Sequence, residues 1–280
     1  MINFNNLSIL DSHQSFLQKR SKNQNVFLVG GCVRDLLLGI TDNPTDIDFT
    51  MAGDPQKLYK SFDKDGLSHF ITEKFGTSTF ITEPFNYELT PLRTEGNYSD
   101  TRHPDQIQRS NDLLLDAKRR DFTINAMYYF SCENTGKELD FTQPTEGSEP
   151  LSDEKLLKIL AREGYIYFAD INLLVLSKTD YISGVFPDAQ FDEVFCRYLI
   201  ETQKTSVILS VSEESIQIKK TPHDHFRILI DPTGGIPSMI SRKLETVGNP
   251  DQRFGEDALR LIRALRLVNV MNHKLNLQKV

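Results

Sequence analysis

Asp46 and Asp48 are the two side chains whose spacing most plainly suggests chemistry. In Asp46-Ile47-Asp48-Phe49-Thr50 polar and apolar residues alternate, so on a β-strand both carboxylates leave one face while Ile47 and Phe49 enter the core. Two like charges held that close repel unless a cation lies between them. Hard oxygen ligands of this kind suit Mg2+ ions ~3.5 to 4 Å apart, one activating an attacking hydroxyl and one offsetting charge on a leaving pyrophosphate. An isolated pair is more often a solvated turn, but here Gly30-Gly31-Cys32-Val33-Arg34-Asp35 precedes it. Val26 to Val29 reads as a buried strand and Val33 to Leu38 as the first turns of a helix. Gly30 and Gly31 then fall at a strand-to-helix turn, where backbone N–H groups approach a phosphate. The stretch reads as a nucleotide-handling, metal-dependent site.

Other residues could complete it. Glu88, on the apolar run Tyr87 to Leu92, is the candidate third carboxylate, with a cross-strand salt bridge as its alternative. Arg34 could grip triphosphate oxygens, or pair with Asp35 to fasten helix to sheet. In Arg119-Arg120-Asp121-Phe122-Thr123-Ile124-Asn125, Asp121 and Asn125 stand at i and i+4, so on a helix they share a face and could hold ribose hydroxyls, with Arg120 on phosphate. The plainer alternative makes Asp121 a helix N-cap. Asp257, Arg260, Arg263 and Arg266 form a polar stripe on an otherwise apolar helix expected over Glu256 to Met271. Such a stripe is ordinarily solvated, yet Asp257 beside Arg260 places an acceptor next to a donor. That pair matches the edge of cytosine or adenine and opposes uracil and guanine. Arg263 is grouped with the nucleotide-binding residues. His223-Asp224-His225 lacks a third ligand and reads as a loop.

The elements that must position these residues follow from periodicity. A short helix is expected near Asp11 to Lys19, then strands at Val26–Val29, Asp46–Thr50, Ser78–Thr82 and Tyr87–Leu92, with helices after Gly31 and over Asp54–Phe62. Thr94 to Pro104 reads as a loop, and Asp112–Ala117 and Thr123–Tyr129 as helices. The expected class is α+β. Residues 1–25 form an N-terminal segment, 26–140 a sheet domain, 141–228 a small αβ insertion, and 229–280 the sheet domain's end and first following helices. In the insertion a helix opens at Ser152, with strands near Tyr165–Phe168, Leu173–Leu176, Val207–Val211 and Ser215–Lys219 and a helix near Asp192–Thr202; beyond it Ser238–Leu244 is helical.

With 280 residues, 39% hydrophobic and 25% charged, the composition is that of a globular protein. No apolar run approaches the ~20 residues that cross a bilayer, and the polar start lacks the parts of a signal peptide, so a cytoplasmic, non-membrane protein is expected. Cys32, Cys132 and Cys196 are scattered, which argues against structural zinc and disulfides. The net charge of −7 disfavours a general nucleic-acid coat protein, although from Ile236 onward eight Lys/Arg face four Asp/Glu.

In order, the Gly-Gly-x-Val-Arg-Asp turn and Asp-x-Asp pair at 30–48, Arg93-Thr94-Glu95, Arg102-His103-Pro104, the run from Arg119 to Met127, Asp231-Pro232-Thr233-Gly234-Gly235, Val247-Gly248-Asn249-Pro250 and the Glu256–Arg260 stretch resemble one family. It is that of the class II tRNA nucleotidyltransferases, the bacterial CCA-adding enzymes, with their poly(A) polymerase relatives. The resemblance covers about residues 26–140 and 229–272. It implies a polymerase-β-like nucleotidyltransferase palm, a mixed or antiparallel sheet with flanking helices, followed by the start of a helical neck. It implies Mg2+ on Asp46 and Asp48, triphosphate on Arg34, ribose on Asp121 and Asn125, and base on Asp257 and Arg260. Arg93 and Glu95 match the element that switches such enzymes from C to A, which favours full CCA addition to a tRNA 3' end from CTP and ATP. A poly(A) polymerase, or a CC-only or A-only enzyme, is the alternative within the family; Lys74-Phe75-Gly76-Thr77 stands where a basic strand marks the poly(A) enzymes. A non-catalytic nucleotide- or RNA-binding remnant is the alternative outside it. Two departures accompany the resemblance: the extra segment between Phe141 and Asp231, and a chain ending near the first neck helix, so that a fragment, or another grip on tRNA, is expected. Oligomeric state is not legible.

Overall fold

In the computed structural model the described residues are 2–21, 26–53, 55–72, 76–96, 106–133, 152–162, 164–168, 173–177 and 225–275. Val26–Val29 (β1) is buried at all four positions, as its unbroken apolar run predicts, because it occupies the middle of a sheet. The other strands are Asp46–Met51 (β2), His69–Thr72 (β3), Thr77–Thr82 (β4), Phe85–Leu89 (β5), Arg93–Glu95 (β6), Ile107–Arg109 (β7), Tyr128–Glu133 (β8), Tyr165–Phe168 (β9), Leu173–Leu176 (β10) and His225–Ile230 (β11). Among the described residues nine of them form one sheet in the order β3-β4-β5-β2-β1-β8-β11-β10-β9, and β6 and β7 pair separately. The β2–β5 and β10–β11 pairs are parallel and the other pairs of the large sheet antiparallel, the mixed sheet of an α+β protein. No described helix is long and apolar enough to cross a membrane.

The helices are Leu10–Ser21 (α1), Gly31–Leu37 (α2), Gln56–Lys64 (α3), Leu113–Arg119 (α4), Asp153–Arg162 (α5), Gly235–Ser241 (α6), Pro250–Glu256 (α7) and Leu259–Leu275 (α8). Alternation in β2 and β5 turns Ile47, Phe49, Tyr87 and Leu89 to one side, into a core shared with Leu10 and Leu17 of α1 and Leu58 and Phe62 of α3. Phe62 stacks on Phe80 at 4.0 Å between centroids, and burying such side chains contributes about 1.5–3 kcal/mol each. Asp11 of α1 accepts hydrogen bonds from Arg227 Nη2 at 2.6 Å and from the Tyr129 hydroxyl, tying the helix to β8 and β11. Packing α1 and α3 on this face leaves the opposite one, where Asp46, Asp48 and Glu88 stand, open for chemistry.

Several elements differ from the sequence expectations. Over Thr123–Tyr129 only Thr123–Asn125 coils, as one 3-10 turn, and Tyr128 begins a strand, because Tyr128-Tyr129-Phe130 favours the pleated sheet and both β1 and β11 are there to pair with it. Thr94 and Glu95, expected in a loop, belong to β6; residues 97–105, with Arg102-His103-Pro104, lie outside the described residues. Strand β3 was not anticipated. The helix expected over Glu256–Met271 is two helices, broken where Asp257 is extended (φ −146°, ψ 104°) and its Oδ1 accepts the Leu259 N–H. An aspartate that satisfies an orphan N–H there starts a new helix. Nor is α8 buried along its apolar positions: Ile262 is 64% and Leu265 73% exposed, while Arg260, Leu267 and Met271 turn inward. Of segment 141–228, α5, β9, β10 and the start of β11 are described. Strands β9 and β10 extend the main sheet, and Leu156, Leu160, Leu173 and Val175 join its core. The helix near 192–202, the strands at 207–211 and 215–219, His223, Asp224 and Cys196 lie outside the described residues.

Candidate active site

The carboxylates come first because one sheet face fixes them. Asp48 registers with Glu88 across the parallel β2–β5 pair, and Asp46 with Asn86, whose Nδ2 donates to Asp46 Oδ1 at 3.1 Å. Asp46 and Glu88 are exposed, and Asp48 is half-buried. The salt bridge weighed for Glu88 has no cation in register, since its cross-strand neighbours are Asp48 and Thr79. The Gly31 N–H donates to Asp48, while burial, then Glu88, with a smaller push from Asp46, raises the Asp48 carboxyl to about 6. Among the described residues no three carboxylate, histidine or cysteine side chains already converge as a metal cage. Asp46, Asp48 and Glu88 share one face of the sheet and offer the carboxylate oxygens that a hard divalent cation prefers.

Gly30 makes the close approach possible. Its φ is +79°, and a Cβ there would sit 3.2 Å from Asp48 Oδ2. Only glycine combines that backbone with that proximity. Cys32, just behind, is buried and pushed up to about 12, so it is an inert thiol.

The shift at Asp48 predicts a pH effect with a definite sign. Its folded value lies above the ordinary 3.8, so its contribution to stability is lost as pH rises from about 4 to about 6. In EDTA, Asp48→Asn should therefore raise Tm at pH 8, by up to about 3 kcal/mol of stability, and change it little at pH 4. Thermal melts at the two pH values check this; an equal effect at both would contradict it.

An arginine wall faces the carboxylates. Arg34 forms a bidentate pair with Asp35 (2.7 and 2.9 Å) and also donates to Asn125 Oδ1, so its two readings coexist. Asn125 Nδ2 donates to Asp121 Oδ1 at 3.1 Å, which brings those two residues together although no α-helix joins them. Asp121 is not the cap of the following turn, whose N-cap position is Phe122. Arg93 donates to Glu95 at 2.6 Å. Arg119 and Arg120 both donate to Asp116, whose second oxygen also accepts the Tyr128 hydroxyl at 2.8 Å. Asp116 was not singled out from the sequence, though its i,i+3 and i,i+4 spacing to Arg119 and Arg120 was a legible signal. Despite full burial, the two guanidinium groups hold its carboxyl below the usual range.

The last wall comes from α7 and α8. Asp257 (6% exposed) and Arg260 (4%) are both present, but Arg260 Nε is 4.0 Å from Asp257 and turns inward to the Arg253 carbonyl and Glu256. Arg263 instead donates to Asp257 Oδ2 at 2.6 Å and lies 3.6 Å from Asp121. Arg253 donates to the carbonyls of Arg119 and Arg120, locking α7 onto the arginine wall. One cleft of about 890 Å3 is lined by Gly30, Gly31, Arg34, Asp48, Arg93, Arg120, Asp121, Asn125, Asp257, Arg260 and Arg263. Asp46 and Glu88 lie outside its lining, on the open sheet face.

The cleft thus joins Asp48 and the glycine turn to a wall of arginines. Residues 26–157 match the family described as the Poly A polymerase head domain. That match takes in a little under half of the chain. It is 41% identical over 105 residues to a CCA-adding enzyme of Lactobacillus delbrueckii subsp. bulgaricus, covering 36% of this chain and 24% of that one. It is 33% identical over 153 residues to a CCA-adding enzyme of Lactococcus lactis subsp. cremoris, covering 52% and 35%. The solved Bacillus stearothermophilus CCA-adding enzyme in complex with CTP aligns with a TM-score of 0.48 at 20% identity, over 93% of this chain and 39% of that one. The matched region thus spans about a quarter to a third of the length of these curated relatives.

Proposed function

We propose that the chain is a Mg2+-dependent, template-independent nucleotidyltransferase that adds C and A to tRNA 3' ends from CTP and ATP. The observation that carries this reading is the single cleft that joins Asp48 and the glycine turn to Arg34, Arg120, Asp121, Asn125, Asp257 and Arg263. Gly30, Gly31, Arg34 and Arg120 hold the triphosphate, Asp121 and Asn125 the ribose, and Asp257 with its arginines the base. Asp46, Asp48 and Glu88 would hold the metal, which when bound would lower the pKa of the terminal hydroxyl and offset charge on the leaving pyrophosphate. Arg263 pairs with Asp257, so a cytosine or adenine amine would have to replace it there. Relatives named CCA-adding enzymes support C and A over poly(A), while the head-domain match is equally compatible with a poly(A) enzyme.

Incubation with Mg2+, tRNA lacking its CCA end, and labelled CTP or ATP tests the reading. Incorporation of both nucleotides, in the order C then A, is expected. ATP-only extension into a long tail would make it a poly(A) enzyme, and nucleotide affinity without incorporation a binding module.

A further inference from the structure

The open sheet face continues past the carboxylates in two cross-strand rows. Asp48 registers with Glu88, Glu88 with Thr79, and Thr79 with Phe70; Asp46 registers with Asn86, and Asn86 with Ile81. Directly registered side chains share a face, so each row starts at one of the paired aspartates and ends on a large apolar side chain left in solvent. Phe70 is 64% exposed and Ile81 38%. Both lie on the side of the aspartates away from the triphosphate candidates, which are carried by α2 after β1 and by the segment that leads into β8.

Direction decides what these side chains can meet. In an in-line displacement the attacking oxygen lies opposite the leaving pyrophosphate. With the triphosphate on the β1–β8 side of Asp48, the acceptor hydroxyl must arrive over β5, and the nucleotide behind it over β4 and β3. Phe70 stands two strand spacings from Glu88, about 10 Å, within reach of the nucleotide that precedes the reacting hydroxyl. Unpaired RNA ends are held by stacking bases on aromatic side chains, independently of sequence. We propose that Phe70, with Ile81 beside it, is the seat on which the unpaired 3' end of the acceptor RNA stacks as its hydroxyl reaches the metal site.

The inference rests on the nucleotidyltransfer reading and is tested beside it. Wild type, Phe70→Ala and Phe70→Trp are compared for KM toward tRNA lacking its CCA end, KM toward CTP, and RNA affinity by fluorescence anisotropy in EDTA. Phe70→Ala should raise the KM and Kd for RNA about tenfold, the loss expected for one base–aromatic stack, with KM for CTP and Tm unchanged. Phe70→Trp should restore RNA binding. Unchanged RNA parameters in Phe70→Ala, an equal rise in the KM for CTP, or tryptophan no better than alanine would each overturn it. If wild type incorporates nucleotides and Phe70→Ala matches it, only this inference falls. If wild type neither incorporates nor binds RNA, both fall.

Discussion

Asp48→Ala is expected to abolish incorporation of CMP and AMP, a loss of at least about 10^3-fold in turnover, with nucleotide affinity in EDTA within about threefold of wild type. Asp46→Ala should behave alike, because a cation shared by Asp46, Asp48 and Glu88 loses one of its three anionic ligands in either case. Asp48 is the more telling position. It alone of the three carboxylates lines the cleft, and burial, then the Glu88 charge, raises its carboxyl. Removing its charge should therefore stabilise the metal-free fold while it destroys activity, the trade expected of a residue kept for chemistry. Single-turnover incorporation and melting curves of the same variant read both halves. Near-normal turnover would sink the metal assignment, and a destabilised metal-free variant would contradict the electrostatics.

The parts legible in the sequence were those governed by local pattern. Strand β1 was read at its observed bounds, and β2 within one residue, because unbroken and alternating apolar runs each have one solution on a sheet. The close approach of Gly30 to Asp48 was implied by glycine at a strand-to-helix turn. What local pattern misread was decided by partners far away in the chain. Tyr128–Glu133 has helix-like flanks but is claimed by β1 and β11. Leu173–Leu176 was read as a strand at its observed bounds, but its parallel pairing with β11, which extends the main sheet, is not written in local pattern.

Arg260 illustrates the same limit at a side chain. A stripe of Asp257, Arg260, Arg263 and Arg266 follows from spacing three, but spacing cannot say which arginine Asp257 will choose. Asp257 ends α7 in an extended conformation, so the regular helix that defined the stripe does not pass through it. Rotation at that break turns Arg260 toward the Arg253 carbonyl and leaves Arg263, half exposed, as the partner of Asp257. Arg253 then links α7 to the carbonyls of Arg119 and Arg120. The α7–α8 end of the cleft is thus joined to the arginine wall, a connection between residues over 130 positions apart.

That wall depends on Asp116, and its replacement should have the second largest effect. The side chain is fully buried behind the cleft. Its Oδ1 accepts Arg119 Nε (2.8 Å) and the Arg93 N–H (3.4 Å), and its Oδ2 accepts Arg120 Nε (3.1 Å) and the Tyr128 hydroxyl. One carboxylate therefore aims two cleft arginines and pins β6, which carries Arg93. Asp116→Asn should cost about 3 kcal/mol, the lower end of the range for breaking a buried ion pair, because Arg119 and Arg120 keep an opening to solvent. The folded carboxyl lies below the ordinary 3.8, so this stability is present at all pH values above that and is lost only as pH falls below it. The gap in Tm between wild type and Asp116→Asn should accordingly stay constant from pH 8 to pH 5. Released arginines would also meet the triphosphate out of position, raising the KM for CTP and ATP at least about tenfold, an effect of about 1.4 kcal/mol, with a smaller change in kcat. Tyr128→Phe is the milder comparison: it removes the hydroxyl's bond to Asp116 Oδ2 and the one it accepts from Arg120 Nε, at about 1 kcal/mol each, but keeps both guanidinium–Asp116 pairs, so KM should rise less. If Tyr128→Phe raised KM as much as Asp116→Asn, or if Asp116→Asn lost stability with KM unchanged, Asp116 would be a packing residue and not the anchor of the phosphate wall.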